Sequence, residues 1–252
     1  MKRSNYHTHT VYCHHANNTI EEMILKAIEE NFENIGFSEH TPLKPTRRFR
    51  LNLNEYETYL NEGHQLKLKY QDKINVYLGF ECEYHQDEYE FFKKIKDHPY
   101  CDYLILGNHN LCNPHQCLDI TYERCDLDQY YEQLKQASES GLFRMLAHPD
   151  YIFRYYNKWD EKAEMIAKKI IDVAIKHDLA LGFNLKGLSI CDTEFCYPTY
   201  HFWKLIKNTK AKLIIEADAH DKKYLEMSYW QKAYDLIDKW DLRANLIHSL
   251  NI

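Results

Sequence analysis

Short apolar runs alternate with longer amphipathic stretches along most of the chain. The short runs predict strands, and stretches whose apolar positions recur every three to four residues predict helices. We predict seven strands, at 4–6, 34–38, 74–80, 102–106, 143–147, 179–183 and 212–215, and an additional one at 244–247. The clearest helix covers 160–177, and one face of it carries Ala163, Ile166, Ala167, Ile170, Val173 and Ala174.

Capping residues indicate where helices begin. Thr19 and Glu22 have the spacing of a capping box, and Pro198 suits the first turn of another helix. The remaining helices are predicted at 54–71, 89–95, 126–140 and 225–240. Strand and helix therefore alternate about seven times, which is typical of a parallel sheet covered by helices. No repeat, low-complexity segment or Gly/Ser linker divides the chain, so residues 1–252 are predicted to form a single domain.

Potential metal ligands follow the predicted strands. In a barrel the carboxyl ends of all strands meet at one face, whereas an open sheet would spread them along a line. Convergence of the potential ligands at one face is the simpler interpretation. We therefore predict an α/β barrel with a metal site at the C-terminal ends of its strands. The residues at these ends are His7, His9 and His15, Glu39 and His40, Glu81 and Glu83, His109, His148 and Asp150, Asn184, and Asp218 and His220.

The kinds of donor atom indicate which ions would bind. Imidazoles with a few carboxylates suit zinc, manganese or iron rather than calcium, which prefers oxygen ligands. At three or four protein ligands per ion, about nine donors predict two or three divalent ions, with a carboxylate shared between two of them. A single His after a strand is usually an ordinary loop residue, but seven at successive strand ends are not independent accidents. Glu39 and Glu83 are expected to hold imidazoles in place rather than to bind ions.

Composition narrows the class of protein. The net charge of −6 disfavours a nucleic-acid surface, and the chain has neither GxGxxG nor GxxxxGK[ST]. The N-terminus resembles no signal peptide, and no apolar run is long enough to span a membrane. A cytoplasmic location is therefore expected, and no oligomeric state is indicated. The eight cysteines are interpreted as reduced thiols, including the pairs Cys112/Cys117 and Cys191/Cys196.

The ordered motifs HTHT, FSEH, GFE, GNH, AHPD and DAH resemble the PHP superfamily, named for polymerase and histidinol phosphatase. The HTHTxxCxH start and the SEHTPL segment are most similar to its histidinol-phosphatase branch. The resemblance implies a distorted (β/α)7 TIM-like barrel with three ions. It implies a first ion on His7, His9, Glu81 and Asp218, a second on Glu81, His109 and His148, and a third on His15, His40 and His220.

Two positions depart from the pattern of this branch. Members often carry an ExNxxGLR-like segment after the sixth strand, where this chain reads GFNLKGLS. Gly182 thus replaces the acidic residue and Ser189 the arginine, and Lys186 is a candidate for the missing positive charge. In the last motif, Ala217 stands where a serine is usual.

The implied activity is hydrolysis of a small phosphorylated substrate, L-histidinol phosphate, to L-histidinol in histidine biosynthesis, with a metal-bridging hydroxide as nucleophile. Asp218, His220 and Asp150 are the catalytic candidates, and Asp150, His85 or a metal-bound water could protonate the leaving oxygen. Arg154 and Lys186 are expected to bind phosphate, with His85 near the substrate. The basic run of Arg47, Arg48 and Arg50 is a weaker candidate for phosphate binding.

Three alternatives remain open from the sequence. One is a PHP phosphoesterase that acts on nucleotides or another small phosphate ester. A second is an amidohydrolase, although such enzymes typically place a bridging Lys where this chain has Glu81. The third is a metal-binding protein without activity, although the full set of predicted ligands argues against it.

Overall fold

The computed structural model describes residues 3–42, 50–113, 116–190 and 194–252. Its main element is a seven-stranded sheet in which all neighbouring strands are parallel. The antiparallel hairpin β5–β6 stands apart from this sheet, whose strand order is β1-β2-β3-β4-β7-β8-β9. The strands are β1 (Arg3–Asn5), β2 (Phe32–His40), β3 (Asn75–Cys82), β4 (Tyr103–Leu106), β5 (Asn110–Asn113), β6 (Gln116–Asp119), β7 (Met145–Leu146), β8 (Ala180–Asn184) and β9 (Lys212–Glu216).

The sheet curls into a barrel that closes just beyond the ends of its first and last strands. Thr8 and Ala219 form an isolated parallel bridge. The amide of His9 donates to the Ala219 carbonyl at 2.9 Å, and the amide of Ala219 donates to the His7 carbonyl at 3.1 Å. These bonds join the HTHT motif to the DAH motif. Closure of the barrel therefore brings the first and the last of the predicted ligand motifs together.

The helices cover the outside of the barrel. Asp160 caps the longest helix through a bond from the amide of Ala163, and Thr19 and Glu22 form the predicted capping box. The helices are α1 (Ile20–Glu29), α2 (Tyr56–Tyr70), α3 (Tyr89–Lys96), α4 (Leu127–Glu139), α5 (Phe153–Tyr156), α6 (Glu161–Lys176), α7 (Gly187–Ile190), α8 (Tyr200–Trp203) and α9 (Met227–Lys239). Short 3₁₀ turns cover Val11–Cys13, Gln86–Glu88, Lys204–Ile206, Lys222–Leu225 and Arg243–Asn245.

An apolar layer fills the lower part of the barrel interior, toward the N-terminal ends of the strands and away from the predicted ligands. Its members come from strands or strand ends around the barrel, as expected when alternate residues of each strand point inward. The Tyr103 hydroxyl lies within hydrogen-bond distance of the carbonyls of Tyr6, at 2.7 Å, and Phe37, at 3.0 Å. The layer consists of Tyr6, Tyr103, Ile105, Met145, Ala147, Ala180 and Ile214.

Two predicted elements at the C-terminal half differ from the structure. The strand predicted at 244–247 is wrong, because Arg243–Asn245 is a 3₁₀ turn and only Leu246 bridges to Leu213. The helix expected to open at Pro198 begins at Tyr200, after a cis Tyr197–Pro198 peptide and with Thr199 at the N-cap.

The hairpin β5–β6 was not predicted from the sequence, and it corrects the interpretation of the cysteines. Cys112 and Cys117 lie directly opposite each other in the antiparallel register and form a disulfide. Cys196 is also disulfide-bonded, so neither residue pair consists of ordinary thiols as we had predicted, although Cys191 lies outside the described residues. The free thiols of the described chain are Cys13, Cys82, Cys101 and Cys125. The cysteines therefore give no support to the predicted location.

Candidate metal centre

The ends of β1, β2, β3 and β9 place imidazoles and carboxylates around one buried point at the barrel mouth. Glu81, near the end of β3, is 1% exposed and forms the middle of the cluster. Its Oε2 lies 3.2 Å from His7 Nε2, 3.4 Å from His9 Nε2 and 3.0 Å from His40 Nδ1. Its Oε1 lies 3.0 Å from His148 Nε2. A single carboxylate thus contacts imidazoles from several separate strand ends, which is the arrangement that a ligand shared between two ions requires.

Gly107 leaves the space that the Glu81 carboxylate occupies. A Cβ atom added to Gly107 would overlap Glu81 Oε1 and lie 2.6 Å from its Cδ. Gly107 directly follows β4, and its amide donates to the carbonyl of Cys82 at 3.0 Å. The GNH motif therefore has a steric reason for its glycine, because the main chain of β4 approaches the central carboxylate too closely for a side chain.

Asp218 forms the other side of the cluster. Its Oδ1 lies 3.5 Å from His9 Nε2 and 3.3 Å from His220 Nδ1. The Lys186 ammonium donates to the same oxygen at 3.3 Å, and Asn184 Nδ2 donates to Oδ2 at 3.3 Å. Asp218 itself has a φ of +46°, a conformation that few non-glycine residues adopt. This strained backbone conformation directs the Asp218 carboxylate toward the imidazoles.

The described residues contain five groups of three potential ligands, each with donor atoms within 4.8 Å of one another. His220 Nε2 and Glu81 Oε2 are buried and have no hydrogen-bond partner among the described residues. Such atoms are costly to bury unless something binds them, and metal ions are suitable partners. The groups are His7–Glu81–His148, His7–His9–Asp218, His9–His40–Glu81, His15–His40–His220 and His9–Cys13–His220. The donor set therefore fits bound divalent ions.

The pKa shifts of three candidate imidazoles and of Glu81 support the same interpretation. Burial lowers the pKa of His9 and His40 well below the usual value, and it lowers the pKa of His15 to about 4. These imidazoles are consequently neutral near pH 7 and keep the lone pair that a metal ligand needs. Burial opposes ionisation of Glu81, but His7 and other nearby imidazoles hold the pKa of Glu81 well below its usual value.

Three buried carboxylates, Glu39, Glu83 and Glu216, lie beside the imidazoles. Glu83 accepts a bond from His109 Nδ1 at 3.1 Å and pairs with Arg50 at 2.6 Å. Glu39 accepts bonds from the amide and hydroxyl of Thr10 at 2.7 and 2.6 Å, and burial raises the pKa of Glu39 to about 8. Glu216, the third, contacts His7. Arg50 is occupied by this pairing, and Arg47 and Arg48 lie outside the described residues.

Two further predicted site residues have hydrogen-bond or ion-pair partners outside the cluster. Asp150 Oδ2 accepts bonds from the Thr199 amide at 2.7 Å and from Trp203 Nε1 at 3.0 Å, which ties the AHPD turn to α8. His85 Nδ1 lies 3.5 Å from the Asp87 carboxylate. The Asp150 contacts hold this turn against α8, and the roles predicted for Asp150 and His85 in catalysis and substrate binding stay predictions.

Arg154 lies on the side of the mouth that is lined by tyrosines. Its guanidinium stands 5.4 Å from the centre of the Tyr155 ring, whose hydroxyl is 3.1 Å from that of Tyr151. The Tyr151 ring packs edge-on against His109, at 5.1 Å between ring centres. The described contacts of Arg154 are with this aromatic group, whereas Lys186 contacts Asp218 and His220 directly.

The sequence interpretation overlooked Glu216, although this residue directly follows the strand predicted at 212–215. Glu216 is the last residue of β9 and lies two positions before Asp218. The alternation of side chains along a strand could have identified it, since residues two apart share a face. Cys13 also lies beside His9 and His220, but burial raises the pKa of its thiol to about 12, which disfavours the thiolate form.

The mouth of the parallel barrel carries imidazoles and carboxylates in overlapping groups of potential ligands. This combination of fold and site is that of a protein with a candidate centre for several metal ions. The PHP domain family matches residues 5–186, which is most of the chain. The protein therefore belongs to the PHP domain family, and the resemblance of its motifs is confirmed.

Relatives agree with this placement. The "Probable histidinol-phosphatase" of Deinococcus radiodurans is 26% identical over 225 residues, which cover 85% of each chain. The histidinol-phosphatase of Bacillus subtilis is 23% identical over 87% of this chain and 94% of its own. Among solved structures, the histidinol phosphate phosphatase of Lactococcus lactis, complexed with zinc, L-histidinol and phosphate, is similar at a TM-score of 0.73 and 20% identity. That match covers 100% of this chain and 99% of the other, and it confirms the predicted barrel.

The helices of the described ranges include none that combines the length and the apolar character needed to cross a membrane.

Proposed function

We propose that this protein is a metal-dependent phosphomonoesterase and that its substrate is L-histidinol phosphate, which it hydrolyses to L-histidinol and phosphate. The observation that carries the proposal is the position of Glu81, a buried carboxylate contacted by imidazoles from four strand ends. The names of the relatives from Deinococcus radiodurans and Bacillus subtilis support the choice of substrate.

The residues that would hold two or three divalent ions form overlapping sets. We assign a first ion to His7, His9, Glu81 and Asp218, and a second to Glu81, His109 and His148. The third ion would bind His15, His40 and His220. Zinc, manganese and iron all suit these donors. When bound, such ions supply Lewis acidity and a hydroxide nucleophile at neutral pH.

The chain's own groups would bind and orient the phosphate ester. The Lys186 ammonium, which lies 3.1 Å from His220 Nδ1, supplies a positive charge at the edge of the ion cluster. A fixed cation there stabilises the charge on the phosphoryl oxygens as the leaving group departs. Arg154 supplies a second positive charge at the rim, beyond the tyrosines. Asp218 and His220 remain our catalytic candidates, because both face the cluster.

Purified protein, stripped of metal and reloaded with Zn²⁺, Mn²⁺ or Fe²⁺, should release phosphate from L-histidinol phosphate. The same preparation should be assayed with nucleoside monophosphates and an aryl phosphate, and its metal content should be measured. Preference for L-histidinol phosphate supports the proposal, whereas preference for another ester assigns a different PHP phosphoesterase activity. If well-metallated protein releases phosphate from none of them, the protein is not a phosphomonoesterase.

Lys186→Met is the sharper test of the phosphate contact, because methionine keeps the length of the side chain without its charge. We expect kcat/KM to fall on the order of 10- to 100-fold, as for loss of a charged hydrogen bond to the transition state. Lys212→Met is a matched control, since Lys212 pairs with Asp178 at an exposed site in β9. Equal activity of the two variants would exclude Lys186 from phosphate binding.

A further inference from the structure

Glu216 has two groups of contacts that meet at the candidate metal centre. Its Oε2 lies 2.6 Å from His7 Nδ1, and because a carboxylate accepts, the imidazole donates from Nδ1. That tautomer leaves the lone pair on His7 Nε2, the nitrogen that lies 3.2 Å from Glu81 Oε2. The bond therefore selects the nitrogen of His7 that faces the cluster.

The second oxygen of Glu216 holds the main chain on the other side of the barrel. Its Oε1 accepts from the His148 amide at 2.7 Å and from Asn184 Nδ2 at 3.2 Å. His148 has a φ of +31°, which is unfavourable for a residue with a side chain. The bond from its amide compensates for that strain and keeps the His148 imidazole directed at Glu81.

Gly182 makes room for this carboxylate. In the parallel register of β8 and β9, Gly182 pairs with Ile214 and Asn184 pairs with Glu216. A Cβ atom added to Gly182 would lie 2.5 Å from Glu216 Cδ and 2.5 Å from its Oε1. The Glu216 carboxylate is thus packed against the bare main chain of β8, in the volume that a side chain at position 182 would otherwise fill.

We propose that Glu216 is the positioning residue of the metal centre, and that Gly182 and Glu216 act as a pair in which β9 supplies a carboxylate to the space left on β8. Glu216 presents His7 Nε2 and the His148 imidazole to the ions without binding an ion itself. The inference rests on the proposed ion centre, but it does not depend on which phosphate ester is hydrolysed.

Metal binding gives the most direct test. Apoprotein should be titrated with Zn²⁺ and with Mn²⁺ in the presence of a competing chelator, and its metal content should be measured after dialysis. We expect Glu216→Ala to weaken the affinity on the order of 10- to 100-fold, as is usual when the partner of a ligating imidazole is removed. Glu216→Gln, which keeps an acceptor for His7 but loses the charge, should cause a smaller loss. Glu139→Ala, at an exposed position, is the control and should bind like the parent chain.

The pairing of the two positions makes a separate prediction. Gly182→Ala should weaken metal binding although Glu216 is still present, because the added methyl group displaces the carboxylate. Exchange of the two residues, Gly182→Glu with Glu216→Gly, should recover most of the affinity lost in Glu216→Gly alone, because β8 then supplies the carboxylate.

Nuclear magnetic resonance separates a positioning role from a purely structural one. In the parent chain the His7 Nδ1 proton should resonate far downfield, as a proton shared with a buried carboxylate does, and this signal should be lost in Glu216→Ala. If Glu216→Ala fails to fold, Glu216→Gln decides the question by the same readouts. A folded variant with unchanged metal affinity, or with reduced thermal stability alone, would overturn the inference. Tight metal binding without phosphatase activity in the parent chain would instead overturn the proposed function.

Discussion

The barrel interior has two layers of opposite character, the lower apolar layer around Tyr103 and an upper layer formed by the candidate metal ligands around Glu81. In the lower layer, the Tyr103 hydroxyl is close to two carbonyls and its neighbours are apolar. In the upper layer, Glu81 Oε2 and His220 Nε2 are buried and make no hydrogen bond within the described part of the chain. The lower layer resembles an ordinary protein core, which stabilises the fold. The upper layer contains buried polar atoms that make no hydrogen bond, which is unfavourable until a ligand binds them. We therefore expect substitutions in the upper layer to change metal binding and activity, and substitutions in the lower layer to change stability.

The largest effect is expected for Asp218→Asn. The substitution removes a charge from the upper layer while nearly preserving the shape of the side chain. Activity should fall on the order of 10³-fold or more, because bound ions contribute several kcal/mol of transition-state stabilisation. Phosphate release and metal content should be measured together, and the metal-free variant should still unfold cooperatively. Unchanged activity would indicate a contaminating phosphatase.

Gly107→Ala should have the next largest effect. The new methyl group overlaps Glu81 Oε1, so the central carboxylate must move and metal affinity should fall on the order of 10- to 100-fold. Gly141→Ala is the matched control, because its φ is +72° and an added Cβ would meet nothing within 4 Å. That variant should lose about 1 kcal/mol of stability through backbone strain and bind metal normally. Equal metal affinity in both variants would show that Glu81 does not need its present position.

Tyr103→Phe tests the lower layer. Removal of the hydroxyl leaves the buried carbonyls of Tyr6 and Phe37 without this donor, which should cost about 1–2 kcal/mol of unfolding free energy. Urea unfolding of metal-free protein measures the loss. The activity per folded molecule should stay the same, and a reduced metal content in this variant would show that the two layers are coupled.

Asp150→Asn should change the pH dependence of stability rather than the activity. Burial raises the pKa of Asp150 from 3.8 to about 7. Between these values the folded chain binds a proton that the unfolded chain has released, so the free energy of unfolding falls as the pH rises. The group contributes a slope of at most about 1.4 kcal/mol per pH unit.

Asparagine at position 150 should remove this slope, because it carries no titrating group and can still accept the bonds from Thr199 and Trp203. Urea unfolding of the two metal-free proteins should be compared from pH 4.5 to 7.5. Parallel stability curves would contradict the expectation. A large loss of activity in Asp150→Asn would instead return Asp150 to the catalytic candidates.

The sequence predicted the seven parallel strands because each is a short apolar run, buried on both faces, between amphipathic helices. It also predicted that imidazoles from separate strand ends lie near Glu81 and Asp218, since the barrel directs every strand's carboxyl end to one face. The hairpin of β5 and β6 escaped prediction, because its strands are short and polar and form a separate two-stranded sheet. The disulfide between Cys112 and Cys117 follows from that hairpin's register, which spacing alone does not determine.

The sequence by itself determined the order of strands and helices and the kinds of ligand at the barrel mouth. Hydrophobic periodicity and residue type are local properties, so they can be read along the chain. Only the tertiary structure decided that Asp150 supports α8, that Gly107 makes room for Glu81, and that Glu216 occupies the space beside Gly182. Each of these depends on distances of a few ångströms between strands that are far apart in the chain, and close packing alone determines such distances.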